Sequence, residues 1–291
     1  MFNTTYYQTT SILYKNRKYS IPYYRRDGNQ STIMMLHGLG GAKENFWWAT
    51  RHSALKNCTL IAFDNPGTGD ATYYPDSPLN NDDLIEITAL FIKEIIRGDF
   101  FLLGASMGGL TMLKYYEKYG NDNILGLISI EGNLTIQDCM FSSKVIAQRK
   151  EEFLSSGFIH GIAEMNKNTS VGYNIIADNI ALNTDPTSYY HYSEQTVRYS
   201  ETNELLEFFI LVEIPKLFIH GDKNKSLSYI SQLKKENVHV REISQSDHFL
   251  FYDNPMELYE VIGEFIDFVL NLEKTKKNPL SDSGPNSYRN V

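Results

Sequence analysis

Only two cysteines, Cys58 and Cys139, occur in the 291-residue chain. That is too few for a disulfide framework, and they sit in no metal-ligand spacing. They read as reduced thiols packed like small hydrophobes, which points to a reducing compartment and a cytoplasmic location. No apolar run approaches the ~18 residues that would span a bilayer, and the opening MFNTTYYQTTSILYKNRKYS lacks a basic-then-apolar leader pattern. Neither secretion nor membrane insertion is expected. Basic residues are scattered and the formal charge is −8, so there is no electrostatic footprint for nucleic acid. The expected partner is a small molecule, and no motif calls for a metal or an organic cofactor.

What the chain does contain is a strand–helix rhythm. TTYYQTTSILY and KYSIPYYRRDG alternate apolar and polar residues around Lys15-Asn16-Arg17, which predicts an antiparallel hairpin at a sheet edge. STIMMLHG, CTLIAFDNPG, DFFLLGAS, ILGLISIEGN and IPKLFIHGD are instead short continuous apolar runs ending in Gly, Asp or Asn. Such runs suit parallel strands buried on both faces. A last strand is expected at VHVREIS. Helical spacing appears over 42–56, 79–97 and 110–119. The pattern predicts an α/β fold with a doubly wound, mostly parallel, eight-stranded sheet and a site at the strand carboxyl ends.

The alternation stops after Gly132 and resumes near Ile214, with helical patterns and no buried strand between. We expect a core of residues 1–133 and 213–272, a helical cap inserted at 134–212, and a disordered tail at 273–291, where the sequence is polar and aperiodic. The cap tyrosines Tyr173, Tyr189, Tyr190, Tyr192 and Tyr199 either line a pocket, each with an apolar body and a polar tip, or simply pack the cap helices.

Gly104-Ala105-Ser106-Met107-Gly108 fits G-x-S-x-G, and it follows the strand DFFLL and opens a helix. A nucleophile elbow demands that setting: a strained serine held out at the top of the sheet, with small neighbours where the adjoining backbone crowds in. The helix N-terminus behind it offers free N–H groups to a developing oxyanion. Three further motifs stand in order along the chain: His37-Gly38-Leu39-Gly40-Gly41, then Asp64-Asn65-Pro66-Gly67-Thr68-Gly69, then Ser246-Asp247-His248-Phe249 ahead of an amphipathic segment over 256–270.

With these motifs the chain resembles the α/β-hydrolase superfamily over residues 32–270. The resemblance implies Ser106 as nucleophile, His248 as general base, and the backbone N–H groups of Leu39 and Met107 as the oxyanion hole. His248 alone of the seven histidines lies between the last expected strand and the final helix. His37 and His220 read as structural hydrogen-bonding groups. Trp47 and Trp48 face either substrate or the packed sheet.

The triad acid departs from the common pattern. Most members carry G-x-x-D after the penultimate strand, whereas this chain has Gly221-Asp222-Lys223-Asn224. Asn224 cannot supply an anion. Glu131, at the end of ILGLISIE and 131 − 106 = 25 residues after the serine, stands where some haloalkane dehalogenases of the superfamily place a triad glutamate. Neighbouring strands are about 4.8 Å apart, so the longer glutamate arm one strand inward reaches the histidine loop. Asp222, with the parity of position 224 in an extended loop, is the alternative acid, and Asp247 is a further one. Glu131 also admits a structural reading, as a hinge residue bonding backbone near Asn133.

A serine at position 106 argues against the dehalogenase and epoxide-hydrolase branches that the chain resembles elsewhere, which require aspartate there. The expected activity is a carboxylesterase-like serine hydrolase cleaving an ester, thioester or lactone through an acyl-enzyme. The alternatives are an acyltransferase or cyclase, a carbon–carbon bond hydrolase on the same triad, or a non-catalytic ligand-binding homologue.

Overall fold

The computed structural model describes residues 3–120, 123–236 and 238–277. Strands β1 (Thr5–Tyr14) and β2 (Arg17–Arg26) form the expected hairpin. Lys15 and Asn16 take φ of 46° and 59° between them, the positive pair of a two-residue turn whose twist matches the strands. Next come β3 (Thr32–Leu36), β4 (Thr59–Phe63), β5 (Phe100–Ala105), β6 (Ile124–Ile130), β7 (Lys216–Gly221) and β8 (His239–Ile243). The sheet order is β1-β2-β4-β3-β5-β6-β7-β8. β1 and β2 pair antiparallel, as do β2 and β4, and every later pairing is parallel.

The apolar runs are continuous because the inner strands are covered on both faces. Phe101 and Leu103 point into one core cluster with Ile33 and Met35, while Phe100 and Leu102 point into the other with Met34 and Leu36. Each such side chain contributes about 1.5–3 kcal/mol by leaving water. Helix α1 (Asn81–Ile95) covers the second face and starts at a capping box, in which Asn80 Oδ1 accepts from Asp83 N and Asp83 Oδ2 from Asn80 N. Helix α2 (Met107–Tyr119) starts directly after Ser106, three residues before the sequence reading placed it.

Two expectations need correction. The segment 42–56 is not an α-helix but two 3₁₀ stretches, Lys43–Arg51 and Ser53–Leu55, with non-helical dihedrals at Phe46. Its first turn is pulled toward the next strand instead of continuing: Asp64 accepts from both the backbone N and the ammonium of Lys43 at 2.8 Å each. At the other end, the final helix runs to Lys277, five residues into the segment expected to be aperiodic. The remainder of that expectation, 278–291, lies outside the described residues.

Between β6 and β7 the described chain is helical: a short 3₁₀ turn (Ile136–Asp138), α3 (Ser142–Ile146), α4 (Lys150–Glu152), a π-helical turn (Phe153–Gly157), α5 (Phe158–Met165), α6 (Val171–Asn183), α7 (Pro186–Ser200) and α8 (Glu204–Leu211). This insertion is tied to the loops at the strand carboxyl ends. Asn179 Nδ2 donates to Gly40 O at 2.9 Å and the Tyr192 hydroxyl to Pro66 O at 2.7 Å. After β7 come α9 (Ile230–Lys235), α10 (Leu250–Asp253) and α11 (Pro255–Lys277). Among the described residues no helix is long and apolar enough to cross a membrane.

Candidate active site

Three consecutive strand ends carry the site. Backbone bonds continue the ladder past the strands, Ser106 N to Ile130 O at 3.0 Å and Glu131 N to Ile219 O at 2.9 Å. These bonds set the ends of β5, β6 and β7 side by side, at the strand spacing of about 4.8 Å.

Ser106 sits in the elbow with φ 53° and ψ −124°, a conformation that a non-glycine residue holds only under surrounding constraint. The constraint is close packing. A Cβ on Gly104 would come within 2.3 Å of Gly108 O, and one on Gly108 within 2.1 Å of Leu36 O. Met107 is the first helical residue of α2, so its N–H is among those without an intrahelical acceptor. Across from it, the turn Gly38–Gly41 closes with Gly41 N to Gly38 O at 3.1 Å and brings Leu39 to the same cavity.

His37 fixes that turn and stays out of the cavity. Its Nε2 accepts from Asn65 N at 3.1 Å, so its Nδ1 carries the proton toward Gly38 O at 2.8 Å. Burial pushes its pKa down and keeps the ring neutral, as an acceptor must be. His220 is likewise buried, with Nδ1 3.0 Å from Gly221 O.

Glu131 also has a positive φ, 42°, and its carboxylate is buried and saturated. Oε2 lies 2.8 Å from His248 Nδ1. Oε1 accepts from Gly221 N at 2.8 Å, and the Asn224 amide reaches both oxygens, at 2.9 and 3.0 Å. Asn224 therefore holds the glutamate from the place where relatives carry the acid. The hinge reading of Glu131 near Asn133 does not match these contacts.

His248 is buried, and burial, the largest influence, lowers its pKa. The hydrogen bond and charge of Glu131, helped by Asp138 and Asp247, outweigh it and leave the ring above the ordinary histidine value. Its Nε2 meets no hydrogen-bonding partner among the described residues and opens, with Ser106, onto one small cavity. No hydrogen bond joins Ser106 Oγ to the ring among those residues, and such contacts often tighten only when substrate binds.

The other carboxylates have different occupations. Asp222 lies in a 3₁₀ turn and not in an extended loop, so the parity argument for it fails. Its two oxygens accept from Gln245 N and Ser246 N at 3.0 Å each, and those bonds depress its pKa. Asp247 Oδ1 accepts the backbone N–H of His248 at 2.8 Å. Gly221 completes the support, since a Cβ there would lie 2.4 Å from Ser246 O. Among the described residues no three His, Cys, Asp or Glu side chains are grouped as metal ligands would be.

Two residues escaped sequence reasoning. One is Asn224 as a partner of the acid. The other is Asn45, which lines the cavity with its Oδ1 turned away to Ala42 N at 2.7 Å; nothing in its sequence context marks it. Of the five tyrosines considered, Tyr189 lines the Ser106 cavity, and Tyr173 and Tyr189 line a neighbouring one. Tyr190 is partly buried against the core, Tyr192 is fully buried, and Tyr199 bonds to Asp82. Neither tryptophan lines the site: Trp47 stacks on Tyr7 and Trp48 is half exposed.

The sheet order, the elbow and the three aligned strand ends define a fold class, the α/β-hydrolase fold. The family model described as alpha/beta hydrolase fold matches residues 31–149. Within that class, the chain is 25% identical over 258 residues to protein phosphatase methylesterase 1 of Candida albicans, covering 84% of this chain and 71% of that one. An esterase from Thermogutta terrifontis superposes with a TM-score of 0.72 at 15% identity, covering 90% of this chain and 99% of the other. A bromoperoxidase from Bacillus anthracis does so with 0.69 at 17%, covering 89% and 100%. These two share the fold, and the contrast in their names shows that fold alone does not select a reaction.

Proposed function

We propose that the protein is a serine hydrolase that cleaves a carboxylic ester, thioester or lactone of a small molecule through an acyl-enzyme. Ser106 attacks the carbonyl carbon. His248 Nε2 takes the hydroxyl proton and returns it to the leaving group. Glu131 holds the ring with Nδ1 protonated and stabilises the imidazolium. The N–H groups of Leu39 and Met107 receive the oxyanion. In the second half, water attacks the acyl-enzyme along the same proton path. Residues 134–212 act as a cap over this site, and the free, buried Cys58 and Cys139 suit a reducing, cytoplasmic setting.

One observation carries the reading. A buried glutamate 2.8 Å from His248 Nδ1 has its remaining lone pairs occupied by Gly221 and Asn224, so it orients the ring without competing for the substrate. The esterase and methylesterase relatives agree with it. The test is labelling by a fluorophosphonate probe. Adduct on Ser106, lost in Ser106→Ala together with turnover of an ester panel, is expected; an unlabelled Ser106 in folded protein overturns the proposal. The apolar wall over Ser106, with Phe141, Met165, Ile176 and Ile180, also suits acyl transfer. Partitioning of product between water and an added alcohol decides between the two.

A further inference from the structure

Beside Ser106 there is almost no room. The cavity there measures about 20 Å³, enough for roughly one water. A second pocket, a chamber lined by the helical insertion and open to solvent on one side, measures about 540 Å³, within the ~300–1,000 Å³ of small-molecule sites. Phe141, Met165, Ile180 and Tyr189 line both spaces, so a single layer of side chains separates them.

The chamber has an apolar inner side, and Lys144, Gln148, His160, Glu164 and Asn168 form its polar side. Val145, Phe153, Phe158 and Ile162 are buried around it, and the exposed Lys144 and Glu164 stand among its polar lining residues. The π-helical turn Phe153–Gly157 belongs to this lining. Such turns are rare and occur frequently at functional sites. Here the turn lets Phe153 and Phe158 both pack on Tyr189, with ring centroids 6.2 and 5.7 Å away. Tyr189 is only 7% exposed, yet its hydroxyl has no hydrogen-bond partner among the described residues.

The four wall residues pack differently. Phe141 packs on Tyr173, His248 and Phe249. Tyr189 is held by its two phenylalanines, and Ile180 lies against Gly40. Met165, buried in the same core cluster, has an unbranched thioether side chain that repacks easily.

We infer that the chamber binds the larger, apolar part of the substrate and that Met165 is the piece of wall that swings aside to let the ester carbonyl reach Ser106. The substrate class is then an ester joining one bulky alkyl or aryl group to one group of methyl or ethyl size. This rests on the reading of Ser106 as nucleophile, and it adds where the bulk goes.

The experiment compares kcat/KM for ethyl acetate, methyl octanoate and octyl acetate, each below its solubility limit, in the wild type, Gly161→Phe and Met165→Trp. Methyl octanoate puts the bulk on the acyl side and octyl acetate on the alcohol side, so the pair also tells which half enters. A Cβ added at Gly161, which lines the chamber, meets nothing within 4 Å, so the phenylalanine is accommodated and narrows the space. Methyl octanoate or octyl acetate, or both, should exceed ethyl acetate by about tenfold or more in the wild type. Both variants should cut that ratio by roughly tenfold. A wild-type ratio near one overturns the inference, and so does a ratio that neither variant changes, while Ser106-dependent hydrolysis of ethyl acetate would still stand. Should a variant not fold, the wild-type ratio decides alone. No turnover of any ester, with Ser106 unlabelled, removes the underlying reading instead.

Discussion

The floor and the roof of the pocket are built by different physics. The floor, at the ends of β5, β6 and β7, is made of directional bonds: Glu131 meets Gly221, Asn224 and His248, and Asp222 holds the backbone of the histidine loop. The roof, from α3 to α7, is mostly rings and methyl groups, with Phe153, Phe158 and Tyr189 packed edge and face. Hydrogen bonds fix positions closely because they weaken steeply with angle. Apolar contacts tolerate repacking if volume is kept. In the proposed hydrolase the floor sets what reaction is possible, and the roof sets what size of molecule undergoes it. Asp253 is the rivet between them: Oδ2 accepts from Asp247 N in the histidine loop and Oδ1 from Gly172 N at the start of α6.

The contrast breaks most visibly at Glu131. Glu131→Gln should lower kcat by about 10⁴-fold for small and bulky esters alike, with the far-UV circular dichroism of the wild type. A loss below tenfold would mean that the floor is not the proton relay. A sharper version uses Asn224, whose amide already touches both carboxylate oxygens. Asn224→Asp alone should reduce activity, because two carboxylates so close cannot both ionise. Added to Glu131→Gln, the same change restores an anion one strand away, and kcat should recover by at least about tenfold over the single glutamine variant. No recovery would show that reach from β7 is insufficient here.

The pH profile comes next in size. The proposed general base must be neutral, and Glu131 raises the pKa of His248, so the acid limb of kcat/KM should lie above the ordinary histidine value of about 6.5. Activity falls as pH drops through that raised value. The charge of Asp138 also acts on the ring through space, and burial lifts its own carboxyl to about 6, so its upward push on His248 fades in the same acid range. Glu131→Gln should move the limb of the residual activity downward. For stability the sign reverses: the charged pair contributes most below the unfolded histidine pKa and is lost as pH rises through the folded one.

The smallest effect is expected at Asp222, which braces the floor through backbone bonds and does not touch the ring of His248. Asp222→Asn should change kcat by no more than a few-fold while lowering stability by about 1 kcal/mol, from weakened bonds to Gln245 N and Ser246 N. Its depressed pKa makes that contribution complete above about pH 4 and lost as pH falls through the folded value. A drop in kcat comparable to that of Glu131→Gln would reassign the acid.

Legibility from sequence followed the range of the interactions. Buried strands, the elbow and the place of His248 were readable because each is a local pattern of apolar residues and small residues at fixed spacing. Glu131 was readable as a candidate through its spacing from Ser106, and through the amide at 224 where an acid is common. Segment 42–56 misled because its periodicity suits a helix while Asp64, distant in sequence, captures its first turn. Asn45 and the Met165 wall left no trace, since lining a cavity depends on which surfaces meet.

By itself the sequence determined a doubly wound sheet, a strained serine at the end of its fifth strand, and a short menu of carboxylates to serve the histidine. Those follow from periodicity and backbone sterics, which act between near neighbours. Only the tertiary structure decided which carboxylate meets the ring, that Asn224 braces it, and that a water-sized space at Ser106 is walled from a larger, mainly apolar pocket. Each of these depends on groups dozens of residues apart being brought within a few ångströms, a distance that no local pattern encodes.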